Sequence, residues 1–143
     1  MEIKIKRIFL AEVDLLLAVP EGLFDAPITR PLATAFLSDP ANSLFLAFEG
    51  DLAVGMASGT DLRHPDKPAS MFIQEVGVRD AHQRRGIGKA VTQALIDAAH
   101  TRGVTEIWLG TEPDNTAARA LYRALAGDEV PGVYFGWGGA LDP

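Results

Sequence analysis

The 143-residue sequence contains no cysteine, which excludes disulfides, thiolate metal sites and a cysteine nucleophile, and weakly favours the cytoplasm. Histidine is scarce too. His64, His82 and His100 stand far apart, with no His-Glu-x-x-His element, so no metal site is expected. Long apolar runs are also missing: none approaches the roughly 20 residues that a membrane-spanning helix needs. The stretch from Met1 to Ile8 alternates apolar and charged residues, the pattern of a strand rather than a signal peptide. A net charge of -6 disfavours nucleic acid and anionic lipid and draws cationic partners, while also simply aiding solubility.

What is present is the composition of a folded domain. Hydrophobic residues make up 48% and charged residues 22%, ordinary values for a globular chain. The length suits one domain over residues 1–143, with a core it can bury unaided.

Along the chain, Ile3 to Ile8 reads as a strand and about Ala11 to Val19 as an apolar helix ended by Pro20 and Gly22. A second helix is expected after Thr29, with Pro31 in its first turn. Ser43 to Glu49 and Leu52 to Thr60 read as strands joined by a tight Gly50-Asp51 hairpin. In the strand from Met71 to Val78, simple alternation puts Phe72, Gln74, Val76 and Val78 on one side and Ile73, Glu75 and Gly77 on the other. Ile87, Ala90, Val91, Ala94, Leu95 and Ala98 mark a one-faced core helix that Gly103 ends. Thr105 to Leu109 reads as a buried strand, and Asn115 opens a last helix. Asn115 and Tyr122 stand two turns apart on it and point in nearly the same direction. Glu129 to Trp137 is expected to give a final strand or hairpin.

The most informative stretch is Val76 to Val91, where a strand runs into a basic, glycine-bearing turn that opens a helix. The first amides of a helix lack intrahelical partners and sit at its positive end, so they favour an anion. Gly86 and Gly88 allow a ligand close to the backbone, and Arg84 and Arg85 add charge. Successive N–H groups of such a turn make a nest for phosphate. Two familiar phosphate loops fail on residues. A Walker A loop is excluded by Gln83 and Ala90, and a dinucleotide fingerprint by Val91 despite the spacing of Glu106.

Gln83-Arg84-Arg85-Gly86-Ile87-Gly88 resembles the Gln/Arg-x-x-Gly-x-Gly/Ala loop of the GCN5-related N-acetyltransferases. Downstream, Asn115 to Tyr122 resembles that family's Asn-x-x-Ala-x-x-Leu-Tyr helix, in the right order and at the right spacing. The resemblance implies an α/β fold: a mixed, mostly antiparallel twisted sheet with two parallel strands splayed at the cofactor site, flanked by about four helices. It implies acetyl-coenzyme A as acetyl donor. Gln83, Arg84, Arg85, Gly86, Ile87, Gly88 and Lys89 would surround its pyrophosphate, and the backbone of Val76 and Val78 would pair with its pantetheine arm. It further implies that Asn115 touches the arm and that Tyr122 assists the departing thiolate. On pattern alone Tyr122 is equally a core residue and Asn115 a helix cap.

Glu75 is the candidate for binding or deprotonating the amine, because its strand places it beside the thioester. A plain solvent-facing carboxylate is the alternative. Asp25, in the Glu21 to Pro27 loop, and Glu112 are expected in the acceptor wall. Leu23-Phe24-Asp25, the His64 to Pro68 loop and Glu75 to Val78 resemble, more narrowly, the aminoglycoside 3-N-acetyltransferase branch. The acceptor so implied is a small cationic amine; a peptide N-terminus or another small amine, and a non-catalytic acetyl-coenzyme A binding module, are the alternatives. A homodimer is admitted. Leu125-Ala126-Gly127-Asp128 departs from the family's Leu-Gly-Phe, which leaves the exit from the last helix open.

Overall fold

A computed structural model describes residues 2–142. Its centre is a five-stranded sheet in the order β1-β2-β3-β4-β5. The strands are β1 (Ile3–Arg7), β2 (Asn42–Glu49), β3 (Leu52–Leu62), β4 (Ser70–Val78) and β5 (Ile107–Trp108); the helices are α1 (Val13–Leu17), α2 (Arg30–Ser38), α3 (Ile87–Thr101) and α4 (Thr116–Ala124). β1 to β4 pair antiparallel, whereas β4 and β5 run parallel. This is the mixed sheet with four flanking helices that the motifs imply.

Local chemistry accounts for the element ends. Thr29 caps α2 by accepting from the Leu32 amide at 3.4 Å, with Pro31 in the first turn where its missing N–H costs nothing. Gly50 has φ +60°, as the first position of a two-residue hairpin loop requires, and Glu49 pairs with Leu52 across it.

The sheet buries both faces. On one, Ala47, Val54, Ala57, Met71 and Ile73 pack under Ile87, Val91, Leu95 and Ala99 of α3. On the other, Leu44, Leu46, Ala53 and Met56 pack with Ile8, Leu16, Leu23 and Ala33. Leu46, Val54, Met71, Val91 and Leu95 are entirely out of solvent. Removing such a Leu costs about 2–5 kcal/mol.

Three expectations are corrected here. First, β4 does not alternate evenly. Ser58 pairs with Glu75 but the next residue, Gly59, pairs with Ile73, so Gln74 is an extra residue bulged out of the ladder. The bulge flips the parity. Met71 and Ile73 face α3, and so do Val76 and Val78 after it, while Glu75 stays on the opposite face. Second, β5 is neither long nor buried. It makes only two pairs with β4, Met71 with Ile107 and Phe72 with Trp108, and Trp108 is 52% exposed, its ring 4.6 Å from that of Phe72. Third, Glu129 to Trp137 forms no strand. Pro131 cannot donate to a ladder, Gly138 and Gly139 both have positive φ, and Val130, Val133, Phe135 and Trp137 lie open to solvent.

The exit from α4 is resolved as well. Ala126, not Gly127, takes the left-handed position with φ +64°, and the Gly127 amide donates to the Tyr122 carbonyl at 3.0 Å. This six-to-one bond closes the helix in the Schellman manner.

Candidate functional site

The brevity of β5 leaves much of one side of β4 unpaired. Beyond Phe72, β4 continues to Val78 with no bridge to β5. Its amides and carbonyls on that side, Val76 and Val78 included, are therefore open to a ligand that can hydrogen-bond a backbone. The Gln74 bulge lies within this stretch, where bulges re-aim side chains and terminate pairing.

Immediately after β4 the chain makes a 3-10 turn over Asp80–His82 and then the turn that opens α3. Gly86 is the N-cap with φ +79° and no side-chain cap, and Arg84 also takes a positive φ of +65°. That conformation is uncommon for a residue with a Cβ and directs successive amides to one side. A Cβ placed on Gly86 would meet nothing within 4 Å, so its outer face is free for a ligand. The first turn of α3 contains no acidic residue, while Arg84, Arg85 and Lys89 surround it. Cations at the positive end of a helix are unfavourable on their own. An anion would relieve them.

The cations are not equivalent. Arg85 Nη2 lies 2.5 Å from Glu49 Oε2, and His82 Nε2 lies 3.4 Å from Glu49 Oε1. The hydrogen bond from Arg85 holds the Glu49 carboxyl below its usual range despite its desolvation. Arg85 thus ties the loop to the end of β2, whereas Arg84 and Lys89 have no ion pair among the described residues and extend into solvent. Gln83 makes only long contacts, 3.4 Å to Asp80 Oδ1 and 3.5 Å to the Val78 carbonyl. Ile87 is buried beneath the loop and fixes its base. A Cβ on Gly88 would touch Val78 at 3.4 Å and Leu121 at 3.5 Å, so the first turn of α3 sits where β4 and α4 converge.

On the opposite face of the sheet, Glu75 meets the loop between α1 and α2. Glu75 keeps part of its side chain in solvent, but partial desolvation by the protein raises its pKa above the ordinary carboxylate value, and the nearby Asp25 raises it further. The loop is seated by Leu23, which is buried, and Phe24, which packs beside it, and it holds Asp25 near enough for its charge to act on Glu75. Glu112 is not drawn into this pair: it lies exposed on the β5–α4 connection, where its carbonyl accepts from Asn115. Asp61 pairs bidentately with Arg102 and Asp66 with Lys67, so neither faces the Glu75–Asp25 pair as free charge.

On the α3 side, Asn115 caps α4 by accepting from the Ala118 amide at 3.1 Å. Its oxygen is occupied by that cap. Tyr122 is half-buried, and burial raises the pKa of its phenol. It lines a cleft of about 910 Å³ together with Ile73, Thr92 and Trp108. Glu75 and Tyr122 therefore lie on opposite faces of the sheet, on either side of the β4 edge that β5 leaves unpaired. Sequence reasoning missed Arg79, whose guanidinium donates to three backbone carbonyls; no local motif announces it.

A family model described as the Acetyltransferase (GNAT) family matches residues 12–127. The chain belongs to the GNAT acetyltransferase family. The match runs from the first helix through the glycine loop to the end of the α4 cap. Among curated GNAT relatives, it is 43% identical over 62 residues to the ribosomal protein bS18-alanine N-acetyltransferase of Salmonella typhimurium, covering 43% of this chain and 40% of that one. The chain thus spans about 40% of the length of the curated relatives it matches. In fold it is similar to an aminoglycoside acetyltransferase from an uncultured soil metagenomic sample, with TM-score 0.85 and 20% identity over 96% of this chain and 98% of the other. A similar GNAT fold is that of an aminoglycoside 6'-N-acetyltransferase from Acinetobacter haemolyticus, with TM-score 0.73, 19% identity, and 94% and 97% coverage. At that identity the likeness is one of fold, and it favours no ring position of an aminoglycoside. Among the described residues no helix is long and apolar enough to cross a membrane.

Proposed function

We propose that the chain is an N-acetyltransferase that moves the acetyl group of acetyl-coenzyme A to a primary amine of a small cationic acceptor, with an aminoglycoside as the leading class. The observation that carries this reading is the unbridged edge of β4, from Ile73 to Val78, running straight into the amide turn at Gly86. An arm with amide groups and a pyrophosphate at its far end matches that edge and that turn in order.

Residues present fit the cofactor. Arg84, Lys89 and the amides from Arg84 to Gly88 would hold the pyrophosphate, Arg85 braces the loop against Glu49, and the Val76 and Val78 backbone would hold the arm. Acetyl-coenzyme A supplies an activated thioester when bound. The amine nitrogen bonds to the acetyl carbon as the carbon–sulfur bond breaks. Glu75 accepts the proton that the nitrogen sheds, directly or through water, and the Tyr122 hydroxyl donates one to the sulfur from the other side of the sheet. A raised pKa suits Glu75 to that work, since a base is most effective near the working pH. Asp25 and Glu75 together attract a cationic acceptor. A carboxylate also raises the amine's own pKa, at about 1.36 kcal/mol per unit; proton acceptance by Glu75 during attack offsets this.

The second reading, acetylation of a peptide N-terminus, draws on the local identity to the ribosomal-protein alanine acetyltransferase. A thiol-release assay with acetyl-coenzyme A separates the readings, using aminoglycosides, polyamines, amino acids and peptide N-termini as acceptors. Turnover with aminoglycosides is expected; turnover confined to peptides or neutral amines would select the second reading. Binding without transfer to any amine would leave a binding module.

A further inference from the structure

We infer that Arg79 is a positioning residue that fastens the acceptor wall to the end of the cofactor strand, an inference that rests on the acetyltransferase reading above. Arg79 directly follows β4. Its Nε donates to the Ala53 carbonyl at 2.7 Å, Nη1 to the Glu21 carbonyl at 2.5 Å and Nη2 to the Pro20 carbonyl at 2.8 Å. Its own amide donates to the Val54 carbonyl at 2.9 Å. One side chain therefore joins β3, the end of β4 and the start of the loop that carries Asp25.

That loop has no helix or strand of its own between α1 and α2. It is held to the sheet at two levels. Arg79 grips its start, and further on the Leu23 carbonyl comes so close to Gly77 that a Cβ there would lie 3.3 Å from it. Asp25 follows Leu23 and acts on Glu75. Moving the Pro20–Glu21 anchor would therefore shift Asp25 relative to Glu75 while leaving Arg84 to Gly88 undisturbed.

The guanidinium is suited to this task because its donors are fixed in one plane and can serve three carbonyls at once; an ammonium cannot. The two bonds to the loop are exposed, so water can replace them at small cost to folding. What their loss removes is geometry. Gly22 provides a second handle. It has φ +103°, and a Cβ on it would come within 2.9 Å of Arg79 Nη1. Gly22→Ala thus disturbs the same anchor from the loop side without touching β3.

The test compares wild type, Arg79→Lys and Gly22→Ala by three readouts: steady-state kinetics with the fastest acceptor of the amine panel, calorimetric binding of coenzyme A, and hydrogen exchange across residues 20–28. In both variants the acceptor KM should rise about 10-fold or more, the scale of a small misplacement of reacting groups. Coenzyme A affinity should stay within about twofold, and exchange should be faster across the loop. An unchanged acceptor KM, or a parallel loss of coenzyme A affinity, would overturn the positioning role. Wild-type protein inert toward every amine would instead overturn the acetyltransferase reading, and this inference with it.

Discussion

α3 and α4 end in the same way but are built to different standards. α3 buries Ile87, Val91, Thr92, Leu95 and Ala99, and α4 buries no residue. Each closes with a six-to-one bond, Val104 to Ala99 and Gly127 to Tyr122. In α3 the left-handed position is Gly103, with φ +87°; in α4 it is Ala126, with φ +64°. A Cβ in that conformation costs about 1–2 kcal/mol. The helix that opens at the Gly86 turn is therefore locked into the core at its base. The helix that carries Tyr122 lies against it with little packing and a strained end, beside a segment whose apolar side chains are uncovered. In the proposed reaction, cofactor binding would fall to the well-packed helix and protonation of the sulfur to the sparsely packed one, with the unbridged β4 edge between them.

The largest expected effect separates the two. Gly86→Glu places bulk and negative charge where the pyrophosphate is proposed to lie. It should weaken acetyl-coenzyme A binding about 100-fold or more, about 2.8 kcal/mol; the Cβ meets no neighbour, and the positive φ of +79° should add about 1–2 kcal/mol of destabilisation. Calorimetry on folded protein decides this. Tyr122→Phe should act oppositely, lowering turnover by about 10²-fold while leaving cofactor affinity nearly intact, because general acid help is worth about 10² to 10⁴. If turnover is unchanged with chemistry rate-limiting, Tyr122 is a packing residue.

Stability should follow the same division. Leu95→Ala empties a site with no solvent exposure and should cost about 2–5 kcal/mol in denaturant titrations, whereas Leu121→Ala on α4 should cost well under half as much. Smaller still, Ala126→Gly should stabilise the chain by about 1 kcal/mol, and Gly103→Ala should do the reverse. Equal responses at the two helix ends would erase the contrast drawn between them.

The pH dependence places Glu75 on this map. Its folded pKa is raised, so the acidic limb of kcat/KM should fall through a value above the ordinary carboxylate pKa of about 4.3. Glu75→Gln should remove that limb. The same raised pKa means that the folded protein holds this proton more tightly than the unfolded chain, so ionisation at neutral pH costs stability. Glu75→Gln should therefore melt no lower than wild type at pH 7, and a lower melting point would mean that the carboxylate is structurally required.

How much of this was legible in the sequence follows from how local each feature is. The Gly86 turn and the Thr29 and Asn115 caps are written in neighbouring residues, and the structure reproduces them; the core stripe of α3 is kept at Ile87, Val91 and Leu95 but turns toward Thr92 and Ala99, leaving Ala90 exposed. The Gln74 bulge is not, because it exists only in the register between β3 and β4; simple alternation therefore misplaced Ile73 and Phe72. The anchoring of Arg85 by Glu49 and of the α1–α2 loop by Arg79 joins residues far apart in sequence, so Arg85 reads from the sequence only as added charge beside the turn and Arg79 is not singled out at all. Glu129 to Trp137 has strand-forming Val, Tyr and Phe, but Pro131 and the surrounding glycines prevail over them. Glu75 and Asp25 illustrate the intermediate case: each was a candidate by itself, and their proximity came only from the packing of Leu23.

The most direct measurement is residue-resolved hydrogen exchange with and without coenzyme A. New protection is expected at the amides of Val76, Val78 and Arg84 to Gly88, with β1 and β2 unchanged. Protection confined to the α1–α2 side, or none at the Gly86 turn under saturating coenzyme A, would contradict that expectation.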